Sequence, residues 1–334
     1  MAAKDYVKLA SGHQMPLVGF GLWKVPKETA ADTVYNAIKN GYRLFDGAYD
    51  YQNEKEAGEG IKRAIKDGLV KREDIFITTK LWNNYHQKDI ALKMAKWQNE
   101  QWGLGYIDLY LIHFPVALKY IDPSIRQYPA WWMDDAGTIE TERIPIRETW
   151  EALEQLVDEG VAKSIGVSNF QAQSIYDLLT YNRHPLSSLQ IEHHPYLVQP
   201  ELIKLAQENG VVVTAYSSFG PQSFLELKSQ RAEDAPLLFD HSTVKKVAEA
   251  HKVTPAQALL RWAIQRGIAV IPKSNNPDRL KQNLQVVDFD LSQAEIDAIS
   301  SLDKGLRFND PGYYLEKKPL RIFAGGAGDS VASQ

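Results

Sequence analysis

Short apolar runs alternate with helix-period segments along most of this chain. The runs are Leu17–Trp23, Arg43–Ala48, Ile75–Lys80, Ile107–His113, Lys163–Ser168, Leu189–His193, Val211–Ser217 and Ile268–Lys273. Each is too short for a helix and alternates with helical sequence, so each reads as a buried strand. Between them, apolar positions recur every three to four residues. In Lys27–Asn40, for example, Ala30, Val34, Ala37 and Ile38 share one helix face. The same period marks Asn53–Asp67, Lys88–Trp102, Ile146–Glu159, Gln171–Tyr181 and Pro200–Asn209, with Gly68, Gly103, Gly160 and Gly210 as stop signals. It returns in Ser242–His251, Pro255–Arg266, Asp278–Val286 and Ser292–Leu302.

Strands that alternate with helices pair in parallel through crossover connections. Eight such units, over roughly 250 residues, predict a closed (β/α)8 TIM barrel of the α/β class. The stretch before Leu17 reads as a β-hairpin that caps the opposite end of the barrel. No Pro/Gly/Ser-rich linker divides the chain, so residues 1–334 read as a single domain, with 324–334 (AGGAGDSVASQ) as a disordered tail. Two connections exceed ordinary barrel loops: Phe114–Pro145, rich in Pro, Tyr and Trp, and Ser217–Asp240. Long loops at the C-terminal ends of strands usually form lids or pocket walls.

Composition narrows the function classes. The chain has 334 residues, 44% apolar and 24% charged, with 38 Lys plus Arg against 42 Asp plus Glu, a net charge of −4. With no long run of either sign, nucleic acid and anionic membrane are disfavoured as partners. The absence of cysteine removes disulfides, thiolate metal ligands and cysteine nucleophiles together. The N-terminal MAAKDYVKLASGHQMP lacks the apolar core of a signal peptide, so a cytoplasmic protein is the simplest reading.

The chemistry lies where strands end. Arg43–Glu54 (RLFDGAYDYQNE) delivers Asp46 and Tyr51, Ile75–Thr79 runs into Lys80, and Ile107–Ile112 runs into His113. A phenol holds its proton at neutral pH and can give it to a developing alkoxide. A neighbouring ammonium stabilises the phenolate left behind. Asp46 would keep Lys80 charged and oriented, and His113 would direct a carbonyl oxygen. Taken singly, Asp46–Lys80 reads equally well as an ordinary buried pair, Tyr51 as a loop aromatic and His113 as a satisfied core histidine. Their joint placement at consecutive strand ends favours the functional reading.

Such a proton donor needs a hydride source. No GxGxxG opens a helix; Gly19-Phe20-Gly21 is only a fragment of one. IPKSNNPDR (271–279) instead leaves the last strand with Lys273 and Ser274 and opens a helix carrying Arg279. That is where barrels often bind phosphate, and two cations would suit a 2′-phosphate. Ser168, Asn169, Gln190 and Tyr216 add amide and aromatic groups able to bond a carboxamide and stack on a nicotinamide. Gln190 reads as readily as a buried amide satisfied by backbone, and Tyr216 as a plain rim aromatic. His193-His194 makes no zinc motif, since neighbours on a strand point to opposite faces, and no metal is expected.

These residues resemble the aldo-keto reductases along almost the full length. The matching segments are GYRLFDGAYDYQNE (41–54), ITTKLW (77–82), LYLIHFP (109–115), SIGVSNF (164–170), LQIEHHPYL (189–197) and IPKSNNPDRLKQN (271–283). Within the family, GFGLW (19–23), SSFGPQSFLE (217–226) and GLRFNDP (305–311) resemble the fungal D-xylose reductases. The resemblance implies Asp46, Tyr51, Lys80 and His113 as a catalytic tetrad with Tyr51 as proton donor. It implies NADPH as cofactor, with NADH as a second. Ser168, Asn169 and Gln190 would hold the nicotinamide, Tyr216 would stack on it, and Ser217 would also bind the cofactor. Lys273, Ser274, Asn275 and Arg279 would hold the adenosine phosphate, Gln282 and Asn283 would lie near the adenine, and Glu226 would accept the ribose hydroxyls of NAD. Trp23, Asp50, His113, Phe114 and Asn309 would line a pocket for an open-chain aldose, D-xylose foremost. Homodimers are common in this group. A related reductase for L-arabinose, galacturonate, glyceraldehyde or general aldehydes is a second reading, and a regulatory subunit of low activity a third. Trp97–Gly103 (WQNEQWG), the insert Lys119–Ile144 and the tail after Pro311 depart from the family pattern.

Overall fold

The structure, a computed structural model, describes residues 6–274, 276–315 and 318–323. A hairpin of β1 (Tyr6–Lys8) and β2 (Gln14–Pro16) comes first. Parallel strands follow: β3 (Phe20–Gly21), β4 (Leu44–Asp46), β5 (Phe76–Leu81), β6 (Ile107–Ile112), β7 (Ala162–Ser168), β8 (Leu186–Glu192), β9 (Val212–Tyr216) and β10 (Ile268–Val270). Each barrel strand pairs with the next in sequence. The ring closes because Val18 bridges Val270 in parallel, with Gly19 N donating to Val270 O and Val270 N to Leu17 O, both at 2.8 Å. The fold is therefore the (β/α)8 barrel that the alternation predicts.

The expected helices form: α1 (Lys27–Lys39), α2 (Glu54–Lys66), α3 (Lys88–Trp102), α4 (Ile146–Asp158), α5 (Ala172–Leu178) and α6 (Pro200–Glu208). After β9 come α7 (Gln230–Glu233), α8 (Ser242–His251) and α9 (Pro255–Ile264), then α10 (Pro277–Leu284), α11 (Gln293–Ser300) and α12 (Pro311–Tyr314). The helix α5 ends three residues before the periodicity does, where Thr180 Oγ1 takes the Asp177 carbonyl at 2.7 Å. Ser217–Asp240 is not an open loop; it is folded into short helical turns around α7.

The two-residue period of the strands layers the barrel interior. Leu44, Phe76, Leu109, Leu111, Val212, Ala269 and Ile271 form one buried cluster, and Leu9 and Met15 of the hairpin join it. Each Leu, Ile, Val, Phe or Met side chain of the cluster stabilises the fold by about 1.5–3 kcal/mol through burial. The hairpin thus plugs the N-terminal end, and Ser11 Oγ meets Ser164 Oγ at 2.7 Å. Two residues further along the same strands the chemistry changes, from Leu44 to Asp46 and from Leu111 to His113. Gly21 owes its identity to barrel closure, since a Cβ there would lie 2.6 Å from Ile271 O, while a Cβ on Gly19 would lie 2.0 Å from Leu44 Cδ2 of the neighbouring strand. No helix among the described residues is long and apolar enough to cross a membrane.

Candidate active site

A cleft of about 1020 Å³ opens at the C-terminal ends of the strands, and Asp46, Tyr51 and His113 line it. The strand β4 ends at Asp46, and a single 3-10 turn over Tyr49–Tyr51 brings the Tyr51 phenol back across the rim. Lys80, near the end of β5, is fully buried. Its Nζ donates to Asp46 Oδ1 at 2.6 Å and Gly47 O at 2.7 Å, and lies 3.2 Å from Tyr51 Oη. The Tyr51 ring stands edge-on to His113 at 5.9 Å, and His113 stacks on Phe114 at 5.2 Å. The four residues expected to act together do converge.

Burial sets the electrostatics here. It holds the Tyr51 phenol well above its usual value, and the charges of Asp46 and Asp50 push the same way. Burial likewise pulls Lys80 down from its usual value of 10.5, while Asp46 opposes the fall. Burial, followed by the charge of Lys80, drives His113 well below 6.5, so its ring is neutral near pH 7 and has one N–H to offer. Loss of solvent alone raises Asp50 to about 7, although part of its surface faces the cleft.

Gln190 is not satisfied by backbone. Its Nε2 donates to Asp46 Oδ2 at 2.6 Å, so Asp46 is gripped from both sides of the barrel. Ser168 Oγ donates to Gln190 O at 2.9 Å, and Asn169 Nδ2 donates to His113 O at 2.9 Å. Tyr216, more than a rim aromatic, donates its hydroxyl to Asn169 Oδ1 at 2.6 Å and accepts from Asn309 Nδ2 at 3.0 Å. Among the cleft-lining residues, Lys24 (φ 62°), Asn169 (φ 63°) and Ser217 (φ 52°) take left-handed backbone. Such residues cost roughly 1–3 kcal/mol each and gather at functional sites.

The chemistry of the lining fits a phosphorylated nicotinamide cofactor. Amide and hydroxyl groups beside the Tyr216 ring form one wall. At the far end Lys273, Ser274, Arg279, Gln282 and Asn283 line the same cleft. Neither Lys273 nor Arg279 has an ion-pair partner among the described residues. The Asn276 side chain caps α10 through the Asp278 and Arg279 amides. Asn275, expected in this group, lies outside the described residues. Glu226 meets Lys24 Nζ at 3.3 Å across the cleft. His193 stacks on Trp262 at 4.8 Å and His194 contacts Glu192, so the histidine pair is engaged in packing.

Trp23, Asp50, Phe114 and Asn309 all line the cleft, as expected. Residues the sequence reading did not assign line it too: Lys24, Trp82, Trp131 and Tyr314. Trp131 comes from the insert and packs edge-on to Trp82 at 5.2 Å, Phe114 at 5.0 Å and Tyr314 at 6.3 Å. The insert is pinned by Trp82 Nε1 to Ala130 O at 2.6 Å, Asn84 Nδ2 to Lys119 O at 2.8 Å, and Tyr49 Oη to Gln127 O. Its clustered tryptophans were the available signal. The unusual WQNEQWG helix end also has an explanation. Gln98 and Trp102 donate to the buried Glu54 carboxylate at 2.9 and 3.0 Å behind β5, where Thr79 also bonds it.

The Aldo/keto reductase family model matches residues 17–304. The chain is 62% identical over 312 residues to the Aspergillus flavus protein named "Probable NAD(P)H-dependent D-xylose reductase xyl1", covering 93% of this chain and 98% of that one. An Emericella nidulans protein of the same name is 61% identical over 317 residues, covering 95% and 98%. The Aspergillus niger "NAD(P)H-dependent D-xylose reductase xyl1" is 60% identical over 314 residues, covering 94% and 98%. Barrel, cleft and likeness over nearly the whole chain agree: this protein belongs to the aldo/keto reductase family.

Proposed function

We propose that this chain is an NAD(P)H-dependent reductase of open-chain aldoses that converts D-xylose to xylitol. The observation that carries the chemistry is the 3.2 Å contact between Lys80 Nζ and Tyr51 Oη at the open end of the barrel. When bound, the nicotinamide supplies a hydride to the carbonyl carbon. Tyr51 supplies the proton to the carbonyl oxygen, so the C=O bond becomes CH–OH with charge balanced. Lys80 stabilises the phenolate that remains, and Asp46, held by Lys80 and Gln190, keeps that ammonium aimed. His113, neutral, donates a hydrogen bond that orients the carbonyl. Ser168, Asn169 and Gln190 would hold the nicotinamide, Tyr216 would stack on it, and Ser217 would add a further cofactor contact. Lys273, Ser274 and Arg279 would take a 2′-phosphate, while Gln282 and Asn283 would sit near the adenine. Glu226 would accept the ribose hydroxyls when NADH binds.

The sugar specificity rests on polar groups among aromatic walls. Asp50 and Asn309 would bond hydroxyls between Trp23 and Phe114. The full-length likeness to proteins named D-xylose reductases supports the same substrate. With it go a single barrel domain, a cytoplasmic location and an aldose as the small-molecule partner. Initial rates across a panel of aldoses and hydroxyl-free aldehydes, with each cofactor, test the reading. D-Xylose should lead the aldoses with NADPH. A lead by L-arabinose, galacturonate or glyceraldehyde would reassign the substrate, and no turnover of any carbonyl would indicate a binding subunit. The matched Tyr51, Lys80 and Asp46 set argues against the latter, since a pure binder has no need of an oriented acid.

A further inference from the structure

Asn309 lies on a coil segment with no regular secondary structure to fix it. Its backbone is fixed by Glu192, the last residue of β8, which is fully buried. The two carboxylate oxygens divide the work. Glu192 Oε1 accepts from the Phe308 amide at 2.9 Å, and Oε2 from the Asn309 amide at 2.8 Å. His194 Nε2 sits 2.8 Å from Oε1. The backbone of Glu192 takes part as well: its carbonyl accepts Gln199 Nε2 at 2.7 Å, and Gln199 Oε1 accepts Arg307 Nη2 at 2.8 Å. Burial alone would raise this carboxyl, but His194, the charge of Arg307 and the Phe308 amide bring it below its usual value.

Buried backbone amides need acceptors, and an ionised carboxylate is a strong one. A pair of consecutive amides on its two oxygens fixes both the position and the direction of the segment. The consequence reaches the cleft. Phe308 stacks on Phe224 at 5.5 Å, and the Asn309 side chain meets Tyr216 Oη at 3.0 Å and Tyr314 Oη at 3.2 Å. Asn309 is thereby presented to the cleft at a fixed height above β9. We propose that Glu192 is a positioning residue for substrate selection: it holds the Phe308 and Asn309 amides so that the Asn309 side chain meets a sugar hydroxyl. This inference rests on the aldose reading of the cleft.

Glu192→Gln keeps the shape but turns one acceptor oxygen into a donor facing an amide or His194. The expected result is that kcat/KM for D-xylose falls by about tenfold or more, chiefly through KM, the scale of one lost charge-assisted bond. Turnover of benzaldehyde, which has no hydroxyl to recognise, should change less than about threefold, and NADPH affinity should hold. In an Asn309→Ala background, Glu192→Gln should add nothing further to the xylose-to-benzaldehyde ratio, since both act through one contact. If Asn309→Ala lowers both substrates in parallel, the aldose pocket itself is wrong and this inference falls with it. If Asn309→Ala is selective but Glu192→Gln is not, or the two effects add, the aldose reading stands and the role of Glu192 is overturned. Should Glu192→Gln fail to fold, Glu192→Asp, whose carboxylate is one methylene too short to reach both amides, should lose the same selectivity. Hydrogen exchange on the unaltered protein gives a readout that needs no variant. The Phe308 and Asn309 amides should exchange as slowly as the barrel strands, and exchange as fast as the exposed loop before them would refute the hold.

Discussion

Tyr51→Phe isolates the proton transfer. Phe keeps the ring that faces His113 and lies under Lys80 Nζ, 4.8 Å from the ring centroid, and deletes only the hydroxyl. Lys80 loses the longest of its three contacts and keeps Asp46 at 2.6 Å and Gly47 O at 2.7 Å. Stability should therefore change by only about 0.5–1.5 kcal/mol, the net worth of one hydrogen bond. The rate should change far more. General acid catalysis contributes about 10²–10⁴-fold, so the barrier should rise by at least about 2.7 kcal/mol. The assay is single-turnover reduction of D-xylose and of benzaldehyde at saturating NADPH, beside a fluorescence titration of the cofactor. Both aldehydes should slow by at least about 10²-fold while cofactor affinity holds. Turnover within about threefold of the parent would refute the assignment of Tyr51 as the acid. A parallel loss of cofactor affinity would instead mean that the hydroxyl supports the cleft.

The remaining predictions use other parts of the cleft. Arg279→Ala should weaken NADPH by roughly 10- to 150-fold and NADH little, from the ~1.5–3 kcal/mol of a charge-assisted bond to phosphate. Glu226→Ala should chiefly weaken NADH, and equal losses for both cofactors in either titration would refute the division. Lys80→Met leaves the Asp46 carboxylate buried with Gln190 Nε2 as its side-chain donor among the described residues, so urea unfolding should show a loss of about 3–5 kcal/mol, and a loss below about 1 kcal/mol would refute the buried pair. Asp50, raised by burial to about 7, is ionised above that pH and carries a proton below it. A carboxylate accepts hydroxyl hydrogen bonds more strongly than a neutral carboxyl. The kcat/KM for D-xylose should therefore fall as pH drops through about 7, that for benzaldehyde should not, and Asp50→Asn should remove the step.

The barrel was legible because strands buried on both faces leave continuous apolar runs, and glycine stops mark helix ends. Asp46, Lys80 and His113 were legible for a related reason: in a parallel barrel the strand ends stand at the same rim, and Tyr51 follows on the short turn after Asp46. What the pattern could not carry was the set of contacts between distant residues. Gln190 and Asp46 lie 144 positions apart, and nothing local to either says that they touch. The grip of Glu192 on Asn309 has the same character, 117 positions apart. Trp131 escaped assignment because its insert has no periodicity to fix which side chains face inward. Gly19-Phe20-Gly21 shows the converse. As a nucleotide motif it is only a fragment, yet both glycines have a packing reason: Gly19 leaves room for the Leu44 side chain, and Gly21 lets the Ile271 backbone approach where the barrel closes.

The hydrogen bonds of the cleft form two chains that approach the reacting position from different sides. One runs from Gln190 through Asp46 and Lys80 to the phenol of Tyr51, the proposed acid. The other runs from Asn309 through Tyr216 and Asn169 to the backbone carbonyl of His113, and it joins the proposed sugar wall to the proposed nicotinamide wall. Packed interiors transmit strain because they have little free volume to absorb it. Gln190, proposed for the cofactor side, therefore also touches the carboxylate that holds Lys80, and Asn309, proposed for the sugar side, also meets the Tyr216 hydroxyl. Roles assigned by proximity alone would divide these residues into separate lists. Hydrogen bonds thus join the proposed cofactor, acid and sugar groups into one network on the rim of β4, β5, β6, β7, β8 and β9, with Ser168 Oγ linking the two chains through Asn169 Nδ2 and Gln190 O.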